Sequence, residues 1–140
     1  MATTVTLTIP TKQIRGLLCS AFEGGANYWF GNLEPLATPE GTTAEDFHDG
    51  GRMQTEGDYW HWSQLLPTSG GSIKFVDTID SHLSEDEKAC VLDGDKITHG
   101  LKVMADKYPK HFADFLAEND DATTGDVFLQ CCTFGEVRYS

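Results

Sequence analysis

The chain has few basic residues for its size. Ten lysines and arginines oppose 22 aspartates and glutamates over 140 residues, a formal net charge of −12. A charge of this sign repels the phosphates of nucleic acids and the head groups of anionic membranes. Direct binding of DNA, RNA or a membrane through a basic patch is therefore disfavoured. Two interpretations of the acidity stay open: ordinary solubility, and a surface for a basic partner.

Long apolar runs are missing as well. No stretch reaches the roughly 18 apolar residues expected of a membrane-spanning helix. Residues 1–9 lack the basic region and apolar run of a secretory signal. Hydrophobic residues still make up 39% of the chain and aromatic residues 11%, which suffices for one buried core. The sequence thus predicts one domain, residues 1–140, located in the cytoplasm.

Motifs for metal binding and catalysis are not found. The cysteines at 19, 90, 131 and 132 form no C-x-x-C pair, and the five histidines show no i, i+4 spacing. Neither a Gly-x-Ser-x-Gly elbow nor a phosphate-binding glycine loop occurs. We predict four free, mostly buried thiols, no metal, no cofactor and no catalytic residue. A hydrolase that uses Glu23 or a His–Asp pair is the less favoured alternative.

The first half of the chain carries the patterns expected of strands. Residues 4–9 alternate Thr with Val, Leu and Ile, and Thr11 then begins a helix that Gly24 and Gly25 end. The prolines, glycines and acids of 34–58 predict a long loop. Further strands are predicted at 27–30, 59–62, 72–79 and 89–92.

The C-terminal third is predicted to be helical. One helix begins at Asp95 and ends near Pro109, and a second carries Phe112, Phe115 and Leu116. A third, capped by Thr123 or Thr124, ends at Gly135, and residues 137–139 form a terminal strand or a loose tail. The fold class is therefore α+β: an antiparallel sheet packed against about three helices in one compact domain.

The acidic residues are concentrated in three segments. Residues 34–58 hold seven acids and one base, 77–95 seven and one, and 114–126 five and none, whereas four lysines gather between 96 and 110. This segregation favours a partner-facing surface over a uniform solvated coat. The acidic binding candidates are Glu45, Asp46, Asp49, Glu56, Asp58, Glu85, Asp86, Glu87, Asp120 and Asp121.

Aromatic residues cluster in two short stretches, 28–30 and 59–62. In two alternating strands about half of these rings face away from the core, so they form a core, a ligand pocket or an interface. Tyr59, Trp60 and Trp62 are added to the binding candidates on this ground.

Glu23 stands at the C-terminal end of the first predicted helix, where the helix dipole disfavours an acid. Its position indicates a specific hydrogen bond or salt bridge, or a tether to the turn at Asn27. With Tyr28 and Trp29 these residues define a structural motif.

Two segments resemble an uncharacterised family of small bacteriophage and prophage proteins. The first is Ala-Phe-Glu-Gly-Gly-Ala-Asn-Tyr-Trp at 21–29. The second combines residues 97–112, with their Lys-Tyr-Pro-Lys-His-Phe ending, with Thr-Gly-Asp-Val-Phe-Leu-Gln at 124–130 and Phe-Gly-Glu at 134–136. These segments cover under a third of the chain, and residues 31–95 lie outside them. The resemblance implies a genomic setting, often one of host takeover or evasion of host defence. It carries over no catalytic residues.

The leading hypothesis combines this setting with the acidity. It is a phage-encoded accessory protein in the host cytoplasm that binds and inhibits or modulates a host or anti-phage defence protein. The partner would have a basic surface, for example a nucleic-acid-handling protein that is inhibited in the anti-CRISPR manner, by partial nucleic-acid mimicry. The alternative is a protein that sequesters a nucleotide-like signal in the aromatic cluster, with Arg52 or Lys74 as the anion contact. Homo-oligomer formation stays open.

Overall fold

The computed structural model describes residues 1–54 and 59–140. Within them the chain forms a three-stranded sheet and six α-helices, with a π-helical turn at Ala21–Gly25 and a 3-10 turn at Ala44–Phe47. The strands are β1 (Phe30–Ala37), β2 (Ser72–Asp77) and β3 (Ala89–Leu92). The helices are α1 (Thr11–Ser20), α2 (Trp62–Leu65), α3 (Glu85–Lys88), α4 (Gly94–Lys107), α5 (Pro109–Leu116) and α6 (Ala122–Phe134).

The sheet is antiparallel throughout, in the order β1-β2-β3. Phe30 pairs with Asp77 at one end of β2, and Ala37 pairs with Ser72 at the other. The segment after β1 and the segment after β2 therefore leave the sheet at opposite ends. Ile73 and Phe75 point into the core, as the alternation predicts.

Helix α6 is the centre of the helical layer. Every residue from 124 to 132 is buried, because α1, the π-helical turn and α4 all pack against this helix. Gly100 of α4 allows the close crossing, since a Cβ there would lie 2.9 Å from Cys132 Cα. Asp121 caps the start of α6 and Gly135, in the left-handed conformation with φ of 74°, ends it.

The α+β prediction is confirmed, and so are its best-defined elements. The predicted strands 72–79 and 89–92 correspond to β2 and β3, and the C-terminal third contains α4, α5 and α6. The cap of α6 is Asp121 rather than Thr123 or Thr124, because the aspartate carboxylate accepts the Thr124 N–H. No helix among the described residues is long and apolar enough to cross a bilayer.

Three predicted strands are wrong. Residues 4–8 are exposed, Ile9 is half-buried against the core, and the segment pairs with no strand among the described residues. Residues 27–29 form a turn, and β1 begins only at Phe30 and runs to Ala37, inside the predicted loop. Residues 59–61 have no regular structure, and Trp62 begins α2 with the His61 side chain as its cap. Aromatic β-propensity reflects packing against neighbouring strands, which residues 59–62 lack.

The C-terminal segment is neither a strand nor a loose tail. The Gln130 side chain accepts hydrogen bonds from the backbone N–H groups of Arg138 and Tyr139, at 2.7 and 2.9 Å. Gln130 Nε2 donates to the Tyr139 carbonyl, and the Tyr139 hydroxyl donates to Asp77 at 2.6 Å. The segment is thus fastened to α6 and to the end of β2.

Candidate functional site

A groove opens between the start of α1, the end of α5 and the segment before α2. We call it the Trp60 groove, and its volume is about 360 Å³. Two aromatic rings, two carboxylates and one lysine are among the groups that line it: Trp60, Phe115, Glu118, Asp120 and Lys12. Gly16 of α1 contributes a surface with no side chain. The groove therefore combines apolar surface with negative charge.

Gln54 holds Trp60 in place. Its Nε2 donates to the Trp60 carbonyl at 2.6 Å and to the Phe47 carbonyl at 2.8 Å, while its Oε1 accepts the Trp60 N–H at 3.1 Å. The indole Nε1–H of Trp60 is buried and has no hydrogen-bond partner within the described part of the chain. A buried donor without an acceptor costs free energy, which makes it a place where a ligand acceptor is stabilising.

The acidic wall of the groove is set by the end of α5. Glu118 follows this helix in the left-handed conformation, with φ of 59°, which turns the chain toward Asp120. The neighbouring Asp121 is used differently, because its carboxylate caps α6. The backbone N–H of Thr124 lowers the pKa of Asp121, followed by the Thr124 hydroxyl.

The three acidic segments do not form one surface. The first lies next to the groove, since Gln54 connects Trp60 with Phe47, and the third lines it with Glu118 and Asp120. The second acidic segment begins at Asp77, where β2 ends. This is the opposite end of the sheet from the segment that follows Ala37. Of the acidic candidates, Glu56 and Asp58 lie outside the described residues.

Several acidic candidates have local structural roles. Asp46 forms a capping box with Thr43 and an ion pair with Arg52 at 3.2 Å, and the Thr43 N–H lowers the pKa of Asp46. Glu87 forms the corresponding capping box with Ser84, whose backbone N–H lowers the pKa of Glu87. Glu45, Asp49, Glu85 and Asp86 are exposed.

The aromatic residues separate into different environments. Trp29 is fully buried and packs against Phe30, Phe75 and Phe134. Tyr59 is 58% exposed and does not line the Trp60 groove. Trp62 is half-buried beside His61, with ring centroids 4.8 Å apart. Within the aromatic cluster, Trp29 therefore belongs to the core, whereas Trp60 lines a pocket.

Burial lowers the pKa of His61, and nearby His48 lowers it further, while Glu23 acts in the opposite direction. Glu23 itself accepts a hydrogen bond from the Cys19 thiol at 2.9 Å. Burial and this glutamate raise the pKa of Cys19 to about 11. The contact lies within one helical turn, and Asn27, which is exposed, takes no part in it.

A second cavity, which we call the Asp126 cleft, lies between the π-helical turn, α5, α6 and the C-terminal segment. Its volume is about 620 Å³. Three tyrosines, a histidine and a carboxylate are among its lining groups: Tyr28, Tyr108, Tyr139, His111 and Asp126. No lysine or arginine is found among the described residues that line it.

Asp126 is a buried carboxylate, 8% exposed. Its Oδ1 accepts hydrogen bonds from Trp29 Nε1 at 2.7 Å and Gln130 Nε2 at 2.9 Å, and its Oδ2 accepts one from the Tyr28 hydroxyl at 2.6 Å. Partial burial and this bond raise the pKa of Tyr28 to about 12. The sequence analysis missed Asp126, although an acid and an amide at i and i+4 inside an otherwise apolar helix could have indicated it.

The cysteines are free thiols, as predicted. Burial raises the pKa of Cys90 to about 11 and of Cys131 to about 12, and it also raises the pKa of Cys132 well above the ordinary thiol value. These thiols are therefore protonated at neutral pH and are poor nucleophiles. Among the described residues no three His, Cys, Asp or Glu side chains come together as a metal site.

Comparisons with protein families, with curated proteins and with solved structures find no match to this chain. The resemblance to phage and prophage proteins stays a hypothesis. The Trp60 groove and the Asp126 cleft are the features of the structure that indicate a function.

Proposed function

We propose that this protein is a binding protein that takes up a basic segment of a partner protein in the Trp60 groove. The observation that carries the proposal is the composition of the groove: the aromatic side chains of Trp60 and Phe115 line it together with the carboxylates of Glu118 and Asp120. In the setting that the resemblance implies, the partner is a host or anti-phage defence protein, which the bound protein inhibits or modulates.

The chemistry of the groove suits an arginine or lysine side chain. An aromatic face attracts a cation, and two carboxylates can accept its N–H groups. Lys12 of α1 also lines the groove and repels an incoming cation, so we expect the cation to lie away from α1.

The nucleotide-binding alternative has less support. The two bases that it requires are both paired with carboxylates: Arg52 with Asp46 at 3.2 Å and Lys74 with Glu34 at 3.3 Å. A phosphate would have to displace these acids in a protein of net charge −12. A basic partner meets two carboxylates at the Trp60 groove, and Lys12 is the one base among the described residues that line it.

The test uses a fluorescently labelled ten-residue peptide of alternating arginine and glycine, with binding followed by anisotropy. We expect Trp60→Ala to weaken binding by about tenfold, as for an aromatic anchor. Tyr59→Ala is the matched control, because Tyr59 is exposed and lies outside the groove. Equal losses for the two variants would contradict the proposal.

Charge is tested separately with two double variants. Glu118→Gln with Asp120→Asn removes two charges at the groove. Glu85→Gln with Asp86→Asn removes two charges from the segment that follows β2 and leaves the sheet at its opposite end. The first pair should weaken binding several-fold more than the second, and added salt should weaken the wild-type complex. Identical effects would show attraction by net charge alone.

A further inference from the structure

The Asp126 cleft is a second built site, independent of the Trp60 groove. Asp126 is over nine-tenths buried, yet the side chains that donate hydrogen bonds to it are neutral: an indole, an amide and a phenol. No cationic group within the described part of the chain pairs with it. Buried carboxylates are normally paired with a cation or a metal, because removing an unpaired charge from water is costly.

The carboxylate has one acceptor position left. A carboxylate offers about four lone-pair sites, of which Oδ1 uses two and Oδ2 uses one. The open position is on Oδ2, the oxygen beside Tyr28, and both residues line the cleft. A ligand N–H entering the cleft can therefore reach the carboxylate without breaking an existing hydrogen bond.

The other groups that line the cleft indicate which part of the ligand lies next to its N–H group. The hydroxyls of Tyr108 and Tyr139 are already engaged, by the Val137 N–H at 2.8 Å and by Asp77 at 2.6 Å. Tyr139 accordingly offers its ring rather than its hydroxyl, and Tyr108 offers its ring beside a hydroxyl oxygen that already accepts one hydrogen bond. Aromatic rings around a carboxylate favour an organic cation and disfavour an anion, and the lack of lysine and arginine among the described lining residues agrees.

We propose that the Asp126 cleft binds a small organic cation of the alkylguanidinium or alkylammonium class. The N–H of the ligand donates to Asp126 Oδ2, and its alkyl part lies against the rings of Tyr28, Tyr108 and Tyr139. The cleft volume, about 620 Å³, falls in the usual range for small-ligand sites.

The experiment titrates full-length protein with butylguanidinium, butylammonium and neutral butanol, which share one alkyl chain. Binding is followed by the ¹H–¹⁵N signal of the Trp29 indole, because its N–H donates to Asp126, and by the thermal unfolding midpoint. We expect both cations to move this signal and butanol to leave it in place. Tighter binding of one cation identifies which of the two head groups the cleft prefers.

Substitutions at Thr123 and Asp126 test whether the ligand binds in the cleft. Thr123 is exposed at the start of α6 and lines the cleft, so Thr123→Lys should weaken cation binding by about tenfold or more through repulsion, while Thr123→Gln should retain it. Asp126→Asn should abolish it if the variant folds. A Trp29 signal that no cation moves at millimolar concentration, or that moves equally in the Lys and Gln variants or with butanol, overturns the proposal.

Discussion

The two cavities differ in how their polar groups are satisfied. Around the Asp126 cleft, Asp126, Gln130 and Asp77 are all buried, and each accepts or donates several short hydrogen bonds. Around the Trp60 groove, Glu118 is exposed and Asp120 half-buried, and the Trp60 indole N–H has no partner among the described residues. The buried side chains around Asp126 are thus held by several hydrogen bonds each, whereas the carboxylates at the Trp60 groove keep more of their surface exposed.

This difference predicts which substitutions lower the stability of the protein and which weaken the binding of a partner. A buried polar group that loses its partner costs about 1–3 kcal/mol of folding free energy, whereas an exposed charge that is removed costs little. We expect substitutions near Asp126 to destabilise the protein, and substitutions in the Trp60 groove to affect partner binding with little change in stability. Four predictions test this expectation.

The largest effect is expected for Gln130→Leu. Gln130 is fully buried and holds Asp126 and both backbone N–H groups of residues 138 and 139. Removal of its amide leaves several buried groups unpaired, which should lower the free energy of unfolding by about 3–5 kcal/mol, measured in urea. Gln13→Leu, at the Trp60 groove, is the control and should cost under about 0.5 kcal/mol. Comparable losses would remove the distinction between the two cavities.

Glycine substitutions give the second test. In Gly100→Ala the new methyl group meets the Cys132 backbone where α4 crosses α6, so the helices must separate at a cost of about 2 kcal/mol. Gly16→Ala adds a methyl group to α1 with nothing within 4 Å and should stabilise the protein by about 0.5–1 kcal/mol. Opposite shifts of the thermal midpoint are expected, and destabilisation by both would contradict the packing described for α1.

The third test concerns the bond between Tyr139 and Asp77. Tyr139→Phe should lower the free energy of unfolding by about 1.5 kcal/mol at pH 8, the value of a hydrogen bond to a charged group. Tyr59→Phe changes an exposed phenol that lies outside both cavities and should leave the free energy of unfolding unchanged. An equal loss in both variants would show that the C-terminal segment is not held through this hydroxyl.

The same bond predicts a pH dependence. Burial and Asp77 raise the pKa of Tyr139 to about 12, above the ordinary tyrosine value of about 10. The folded state therefore favours the protonated hydroxyl, so its contribution is complete below pH 10 and is lost as the pH rises toward 12. The gap in unfolding free energy between wild type and Tyr139→Phe should narrow from pH 8 to pH 11; a constant gap would contradict the bond.

Sequence patterns predicted the helical third well because its signals are local. The spacing of apolar residues defines α4 and α5, and Gly135 ends α6 through a conformation that glycine adopts readily. The strand predicted at 59–62 failed because this segment is held in other ways: the Gln54 side chain bonds the backbone of Trp60, and the Trp62 ring lies near His48, with ring centroids 6.0 Å apart. Such contacts depend on the tertiary arrangement, which residue periodicity does not contain.

The candidate sites were predictable only in part. Trp60 and Asp120 were chosen for their residue types, and the structure brings both to one groove. Glu118, Phe115 and Lys12 join them through the packing of α1 against the segment before α2 and the end of α5, which separate stretches of sequence could not reveal. Asp126 was counted only as one of the five acids of segment 114–126, because the donors that make its burial tolerable, Trp29 and Tyr28, lie almost one hundred positions away.

The smallest effect is expected at Glu23, which influences His61 on the Trp60 side of the molecule. Its carboxylate contributes to the raised pKa of Cys19, although burial is the larger cause. Glu23→Gln removes the charge but not the burial, so the pKa of Cys19 should fall only part of the way. Because the thiolate is the reactive form, alkylation of Cys19 by iodoacetamide at pH 8.5, followed by peptide mass spectrometry, should accelerate about threefold. Glu85→Gln changes the net charge equally and should leave the rate unchanged, which separates a local carboxylate from the general acidity of the chain. Equal rates in wild type and Glu23→Gln would mean that burial alone keeps this thiol protonated.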